Sequence, residues 1–335
     1  MVISFLKRKI TLIFLLLLFF SSLVQSQTSS LVWPSPPDRV RIKHLQTISS
    51  LKNLEAKKNF FGKLLSFFAG EEQTTRRLVQ PVGIAVAPNG RIYVADPGAN
   101  GVHVIDQKEQ KYEFLAGTKS GQFLSPVGVA TADNGTVYIS DSQRGEIAVL
   151  DANHGFQFAI RERLQRPTGL SISHGFLYVA DAGRHAIAQF DLNGRYISEF
   201  GRHGAGAGEF NFPVSITTAD TSGYSVVDAL NYRVQEFDPM GKFRLTFGQQ
   251  GNVAGRFASP KAIARDSDGD LYVTDALMDN IQIFNPAGKL MLVVGHSGLR
   301  DGEFSAPSGI AIDRDDRIYV VETLNRRIQV FQYLK

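Results

Sequence analysis

The chain has 335 residues, and 43% of them are hydrophobic, which is enough to bury a large core and excludes a globally disordered protein. It contains no cysteine, so disulfide bonds, thiolate metal ligands, a cysteine nucleophile and a lipid anchor on an N-terminal cysteine are excluded. The formal net charge of +4 includes three basic residues near the N-terminus, and without them it is close to zero. No nucleic-acid partner is therefore expected.

Residues 1–26 have the pattern of a cleaved secretory signal peptide. Lys7, Arg8 and Lys9 form a basic start, Ile10–Phe20 is an apolar stretch, and small residues precede a cleavage position at its polar end. The apolar stretch is shorter than the roughly 20 residues that cross a membrane. An uncleaved anchor is the alternative, but both interpretations place the remaining chain outside the cytoplasm. We therefore expect a periplasmic or secreted protein.

Residues 27–39 are rich in serine and proline, which favours an extended linker. The linker contains Trp33, the only tryptophan of the chain, for which packing against the domain and docking of a partner are both open. Residues 40–48 follow with alternating apolar and basic side chains, and this alternation predicts a strand.

Residues 55–69 predict one short amphipathic helix. One side of this helix is apolar, and it consists of Phe60, Phe61, Leu64, Leu65, Phe67 and Phe68. The helix could pack against the rest of the domain, or it could bind a partner or make a peripheral membrane contact. The large apolar load makes it a candidate for a function-specific element.

From residue 78 the chain repeats itself six times. Each repeat begins at a proline followed by a short apolar strand, and the steps between these prolines are 41 to 47 residues: Pro81, Pro126, Pro167, Pro213, Pro260 and Pro307. A turn and a second, β-branched strand follow, ending in an acid: Asp96, Asp141, Asp181, Asp228, Asp275 and Glu322. A third strand is expected to begin six residues later, at Val102, Ile147, Ile187, Val234, Ile281 and Ile328.

These repeats resemble the NHL-repeat family. The last repeat carries the resemblance most fully, with Gly302–Phe304, Pro307, Gly309–Ile312, Ile318–Val320 and Asn325–Phe331. The resemblance implies an all-β fold, a six-bladed β-propeller made of four-stranded antiparallel blades. The sixth repeat has only three strands, so we predict that residues 40–48 pair beside Ile328–Phe331 and close the ring within a single domain, residues 40–335.

The sequence shows no catalytic motif. The acid at the end of each second strand recurs in every repeat, which favours a structural role, because a catalytic residue should break the repeat. The histidines occupy no common repeat position, so no metal site and no cofactor are expected. Asp266–Asp270 resembles the start of a calcium loop but lacks the later glycine and glutamate, and it is read as a hairpin turn.

We therefore expect an exported, non-enzymatic scaffold that binds a protein or peptide in the cell envelope or outside the cell. The candidate partner-binding residues lie in loops on one face of the disc: Arg144, Arg184, His185, His203, Asn231, Tyr232, Arg233, Met278, His296, Asn325 and Arg326. The alternative, which the family resemblance allows, is a metal-dependent lyase or hydrolase acting in the central channel.

Overall fold

The computed structural model describes residues 31–49, 51, 77–119, 121–219 and 223–335. The predicted signal peptide, residues 1–26, and the predicted helix, residues 55–69, lie outside these residues and stay predictions. The strands reported below belong to one compact unit, Val32–Lys335. Among the described residues, no helix is both long and apolar enough to cross a membrane.

The described residues fold into an all-β propeller of six blades, as predicted from the repeats. Blade 1 contains Gly83–Val86, Ile92–Asp96, Gly101–Asp106 and Lys111–Leu115. Blade 2 contains Pro126–Thr131, Val137–Asp141, Glu146–Leu150 and Phe156–Ile160. Blade 3 contains Pro167–Ser173, Phe176–Asp181, Ala186–Asp191 and Tyr196–Phe200.

The remaining blades follow the same order of strands. Blade 4 contains Pro213–Ala219, Gly223–Asp228, Arg233–Phe237 and Phe243–Phe247, with a 3-10 turn at Ala229–Asn231. Blade 5 contains Pro260–Arg265, Leu271–Asp275, Asn280–Phe284 and Leu290–Val294. Blade 6 contains Pro307–Ile312, Arg317–Glu322 and Arg327–Tyr333, followed in space by Ile42–Ile48 and Val32–Trp33. A two-stranded ribbon, Gly117–Thr118 and Gly121–Gln122, lies after blade 1.

The first strand of each blade lies at the centre of the ring. The strand Gly83–Val86 of blade 1 contacts the first strands of its two neighbours, Pro126–Thr131 and Pro307–Ile312. The second and third strands lie in the middle of each blade and are mostly buried, and Val137–Asp141 and Glu146–Leu150 are buried along their whole length. Because both of their faces are covered, their sequences are almost continuously apolar.

Aromatic side chains fill the space between the later blades. Phe210, Phe257 and Phe304 lie three residues before a blade-starting proline, and none of them is exposed. Each ring packs against a phenylalanine of a third strand at a centroid distance of 5.6 to 5.9 Å, in the pairs Phe210–Phe237, Phe257–Phe284 and Phe304–Phe331. Burial of each ring contributes on the order of 1.5–3 kcal/mol to stability.

The hairpin turns lie where the repeats predict them, but the third strands begin one residue earlier than predicted. The turns after the first strands hold a residue of positive φ in each repeat, namely Gly90, Gly135, Gly175, Gly223, Gly269 and Asp316. Asp266–Asp270 forms one of these turns, in which Asp266 Oδ1 accepts the amides of Asp268 and Asp270. The third strands begin one residue earlier than predicted, because the residue before the predicted start pairs with the acid, as Gly101 does with Asp96.

The ring is closed by the N-terminal strand, as predicted. Ile42–Ile48 pairs antiparallel with Arg327–Tyr333, with Ile42 opposite Tyr333 and Ile48 opposite Ile328. The preceding segment, which was expected to be an extended linker, adds a further short strand, because Val32–Trp33 pairs with the start of Ile42–Ile48. Trp33 packs edge-to-face on Phe331 at 5.8 Å, so its observed role is packing.

Candidate functional site

Antiparallel pairing brings the candidate loops to one face of the disc. Pro260 lies opposite Asp275, and Pro307 lies opposite Glu322, so the start of each first strand and the end of each second strand share one sheet edge. The loops after the second strands and the loops between blades therefore meet at this edge. We call this surface the acid face, after the acid that ends each second strand.

The acids hold the loops of this face in place. Asp275 is fully buried, and its two oxygens accept the amides of Ala258 at 2.7 Å and Ser259 at 3.0 Å. The same carboxylate accepts the amides of Leu277 and Met278 at 3.1 Å. Corresponding contacts to the residues before the proline are made by Asp96, Asp141, Asp181, Asp228 and Glu322. A buried carboxylate that accepts hydrogen bonds from several backbone amides holds a loop in one conformation. This is the structural role of the recurring acid.

Three of the predicted partner-binding residues serve this loop framework. Arg233 donates to Asp228 at 2.9 Å and also to the carbonyl oxygens of Ala205, Gly206 and Glu209. Asn231 donates to Asp228 and to the carbonyl of Gly204, and Asn325 makes the matching contacts to Glu322 and Gly298. These side chains connect loops of the acid face to one another.

Two more predicted arginines are engaged in ion pairs within their own blades. Arg144 Nε lies 2.7 Å from Glu146, and Arg184 Nη2 lies 3.0 Å from Glu199. Met278 is half-buried, with its sulfur 3.8 Å from the side-chain nitrogen of Gln282. Contacts with a partner would have to compete with these existing interactions.

Residues of the same loop position take the left-handed conformation. His185, Tyr232 and Arg326 have φ values of 55°, 55° and 53°, and they are equivalent to Asn100, Gly145 and Asp279 in the other blades. His185 Nδ1 accepts the amide of Phe212 at 3.2 Å, and Tyr232 is half-buried against the core between blades. Arg326 is exposed and forms no ion pair with any described residue.

The structure brings two of the predicted histidines together and leaves the third apart. His185 and His203 stack edge-to-face with ring centroids 4.5 Å apart. His296 is exposed in the next-but-one loop between blades, where its Nδ1 lies 3.1 Å from the carbonyl of Ser297. Within the described ranges, no group of three or more histidine and acid side chains is arranged to hold a metal ion.

Three exposed leucines form a repeated apolar feature of the acid face. They lie two residues after the acid in three successive blades, and their exposed fractions are 52% for Leu230, 74% for Leu277 and 68% for Leu324. Blades 1 to 3 carry Gly98, Gln143 and Gly183 at this position. We call the three leucines the leucine arc.

A cavity of about 480 Å³ occupies the central channel at this face. The first strands surround it so closely that a Cβ atom on Gly83 would lie 2.2 Å from the carbonyl oxygen of Val127. Its wall is mostly apolar or uncharged, and Lys261 is the only charged residue among the described residues that line it. Lys261 is exposed and has no ion pair within the described part of the chain.

Sequence reasoning missed both the leucine arc and Lys261. The signal was present in the repeats, because alignment on the acids places a leucine at one position in blades 4 to 6 alone. Alignment on the prolines places Lys261 where the other repeats carry Val82, Val127, Thr168, Val214 and Ser308.

The chain is similar to known propellers in sequence and structure. A family model described as a 6-bladed beta-propeller matches residues 263–333, and the NHL repeat model matches residues 78–105 and 164–190. The comparison with curated proteins gives no match.

Three solved structures show the extent of the structural similarity. A protein of unknown function from Bacteroides thetaiotaomicron is 15% identical with a TM-score of 0.63, covering 87% of this chain and 75% of that one. An auxiliary nutrient binding protein from the same organism is 16% identical with a TM-score of 0.61, covering 77% and 70%. Virginiamycin B lyase from Staphylococcus aureus is 16% identical with a TM-score of 0.55, covering 78% and 97%. At these identities the similarity shows the fold alone.

Proposed function

Because the chain is a six-bladed β-propeller that carries NHL repeats, we propose that it is an exported, non-enzymatic scaffold that binds a protein or peptide partner on the acid face. The partner segment carries apolar side chains and at least one carboxylate. The observation that supports this most directly is the leucine arc beside two unpaired cations, Lys261 and Arg326.

The leucine arc supplies the apolar part of the binding surface. Single exposed leucines are common, but three at the same position of successive blades form a repeated apolar feature on one side of the ring. Full burial of an exposed leucine contributes on the order of 1.5–3 kcal/mol. Three leucines together contribute on the order of 4.5–9 kcal/mol, which is of the same size as the cost of association, so polar and charged contacts must supply the remaining affinity.

The two cations supply charge complementarity. Lys261 lies in the channel wall beside Ala276, one residue before Leu277, and Arg326 lies two residues after Leu324. Neither cation is neutralised by an ion pair among the described residues. An acidic group on the partner would therefore gain attraction without breaking an existing pair.

The loops that carry the arc are held rigid before any partner binds. Leu277 donates its own amide to the buried Asp275, and Leu230 donates to the carbonyl of Asn211 at 3.0 Å. A surface that is already ordered loses little conformational entropy on binding. This rigidity supports a binding role for the face.

The proposed location is the periplasm or the outside of the cell, and it rests on the predicted signal peptide, residues 1–26. N-terminal sequencing of the protein recovered from its host would test it. Cleavage near residue 26 is expected, whereas an intact N-terminus in the cytoplasm would contradict it.

A peptide selection tests the proposed binding. The full-length protein is used to select from a displayed library of random 12-residue peptides, and enriched peptides are measured against the triple variant Leu230→Ser, Leu277→Ser and Leu324→Ser. We expect peptides rich in apolar residues and in Asp or Glu, with affinity at least about tenfold weaker for the variant. Met240→Ser, at a 94% exposed residue in a hairpin of the opposite face, is the matched control.

Two results would contradict the proposal. Selected peptides that bind the triple variant as tightly as the wild type would remove the leucine arc from the function. Concentration-dependent dimerisation that the triple variant abolishes would instead identify a second copy of this chain as the occupant.

A further inference from the structure

A second cavity, of about 270 Å³, lies between blade 5 and the N-terminal segment that closes blade 6. Arg39, Arg41 and Ile42 line it from the N-terminal segment, and Asp270 and Leu292 line it from blade 5. Asp270 belongs to the first hairpin of blade 5, at the sheet edge opposite Pro260 and the acid face. The cavity is therefore separate from the leucine arc and from the channel wall around Lys261.

Asp270 is a buried carboxylate without a partner. Its exposed fraction is 9%, yet no described residue donates a hydrogen bond to its side chain or forms an ion pair with it. The neighbouring Asp266, in contrast, accepts the Tyr272 hydroxyl at 2.9 Å and two backbone amides. Burial, together with the nearby charge of Asp268, raises the pKa of Asp270 above its ordinary value, and Arg41 opposes this change. The oxygens of Asp270 are not among the fully buried, unpaired atoms of the described residues, so the carboxylate is reached from the cavity and can accept hydrogen bonds from a ligand.

Two arginines supply the opposite charge in the same cavity. Arg41 is half-buried, and its only hydrogen bond to another side chain in the described part of the chain goes to the Tyr333 hydroxyl at 3.4 Å. Arg39 is exposed and has no ion pair with a described residue. Neither arginine lies within the 4.0 Å that defines an ion pair with Asp270. The cavity thus holds separated charges of both signs.

The remaining wall is mostly apolar, and it includes the side chains of Tyr272 and Tyr333. Ile42 and Ile283 are buried beside the cavity, Leu292 is half-buried, and Met291 is 49% exposed at its rim. The volume of about 270 Å³ lies just below the usual range for drug-sized ligands. An occupant of this size is an amino acid or a comparable small molecule.

We propose that this cavity binds a small zwitterion with an apolar side chain, of the size of a free leucine or phenylalanine. The ammonium group of the ligand donates to Asp270, its carboxylate accepts from Arg41 with Arg39 nearby, and its side chain lies against Ile283 and Leu292. An ammonium group fits Asp270 because it supplies the donors that the carboxylate lacks. A guanidinium matches the planar geometry of a carboxylate.

Isothermal titration of the full-length protein tests this assignment with three probes. L-Leucine carries both charges, leucinamide lacks the carboxylate, and N-acetyl-L-leucine lacks the ammonium group. We expect L-leucine to bind and each of the other probes to bind about tenfold or more weakly, because each leaves one charged group of the cavity without a partner. Equal affinity for all three probes, or no heat at millimolar L-leucine and L-phenylalanine, would overturn the proposal.

Two variants assign the contacts, and a third serves as control. Asp270→Asn should weaken the binding of L-leucine about tenfold and leave the binding of N-acetyl-L-leucine unchanged. Arg41→Met should weaken the binding of L-leucine about tenfold and leave the binding of leucinamide unchanged. Glu162→Gln, at an exposed residue of another blade, should change neither. Unchanged L-leucine binding by Asp270→Asn would contradict the assignment. The triple leucine variant should bind L-leucine normally, so failure at one site is distinguishable from failure at the other.

Discussion

His103 Nε2 lies 3.2 Å from Asp96 Oδ2, and both side chains are completely buried. The other ring nitrogen of His103 lies 2.9 Å from the Tyr112 hydroxyl. In blades 4 to 6 the position of this histidine is occupied by glutamine, and Gln329 donates to Glu322 at 2.9 Å in the same way. Blade 1 therefore uses an imidazole where blades 4 and 6 use an amide to support the acid that holds the loops.

Replacement of His103 should destabilise blade 1 in a way that glutamine partly restores. His103→Ala removes a buried donor and leaves a cavity, so we expect it to lower the free energy of unfolding by about 2–4 kcal/mol. His103→Gln should lose less, because the amide can donate to Asp96 as Gln329 does to Glu322. Urea denaturation followed by circular dichroism measures both. Equal losses for the two variants would show that neither the volume nor the donor that glutamine restores contributes to stability at this position.

Protonation of Asp96 should contribute to acid unfolding. Burial would raise the pKa of Asp96, but hydrogen bonds from His103 and from the amides of Val79 and Gln80 outweigh it and hold the pKa below its ordinary value. The stabilisation is therefore complete above the ordinary aspartate pKa of about 4 and is lost as the pH falls through the lowered value. Asp96→Asn should be less stable than wild type at pH 7, and the difference should shrink in unfolding curves below pH 4.

Repetition made most of the fold predictable. One proline, one turn and one acid recurring in each repeat fixed the strands, and the unpaired edge of the last repeat indicated where residues 40–48 belong. The strand formed by Val32–Trp33 was not predictable, because Pro34 and the prolines that follow favour a linker and the pairing depends on a neighbour that exists only after the ring closes.

The closing strand should be essential for stability. Ile42 has an exposed fraction of 2% and belongs to the core between blades 5 and 6. We expect Ile42→Ala to lower the free energy of unfolding by about 2–5 kcal/mol, because truncation leaves a cavity in a packed core. Lys43→Ala changes the adjacent, exposed residue of the same strand and should stay within about 0.5 kcal/mol of wild type. Equal stability of wild type and Ile42→Ala would contradict the importance of the closure.

Lys261 should control the salt dependence of partner binding. With the acidic peptides selected as described above, Lys261→Met should weaken binding about three- to tenfold at low salt and reduce its sensitivity to added salt. Lys242→Met, an exposed lysine at a hairpin of the opposite face, is the control and should change neither quantity. An unchanged salt dependence in Lys261→Met would place the acidic group of the peptide elsewhere.

Asp270 should lower the free energy of unfolding at neutral pH. Because its pKa is raised in the folded protein, its favourable contribution exists below the ordinary value of about 4 and is lost as the pH rises through the raised value. In the absence of ligand, Asp270→Asn should therefore have a higher melting temperature than wild type at pH 7. The gain should disappear in scans below pH 4, and a variant that is less stable at pH 7 would indicate an internal partner for the carboxylate.

Metal removal distinguishes the scaffold from a metal-dependent lyase or hydrolase. We expect peptide binding to be unchanged after dialysis against a chelator, because the described residues that line the channel include no histidine and no acid. Elemental analysis of the purified protein and binding before and after dialysis provide the measurement. Stoichiometric zinc or calcium whose loss abolishes function would favour the enzyme.

The surface chemistry was less predictable than the fold. Arg233 and Asn325 were chosen because they vary between repeats, but their side chains reach carbonyl groups of loops about 27 positions away, as Arg233 does at Gly206, and the spacing of strands does not reveal this. Arg39 and Asp270 are far apart in the sequence and line one cavity only because the N-terminal strand packs beside blade 5. Contacts that depend on ring closure are invisible in a single repeat.

The pairing of Ile48 with Ile328 joins positions 280 residues apart, so the strand Ile42–Ile48 cannot pair until the last strand of the ring has been synthesised. If the chain is exported from its N-terminus, as proposed above, it cannot complete this pairing until its last strand has also crossed the membrane. Completion of the ring would then follow the end of translocation. A tag or truncation after Phe331 would consequently act on assembly of the whole molecule and not on one blade.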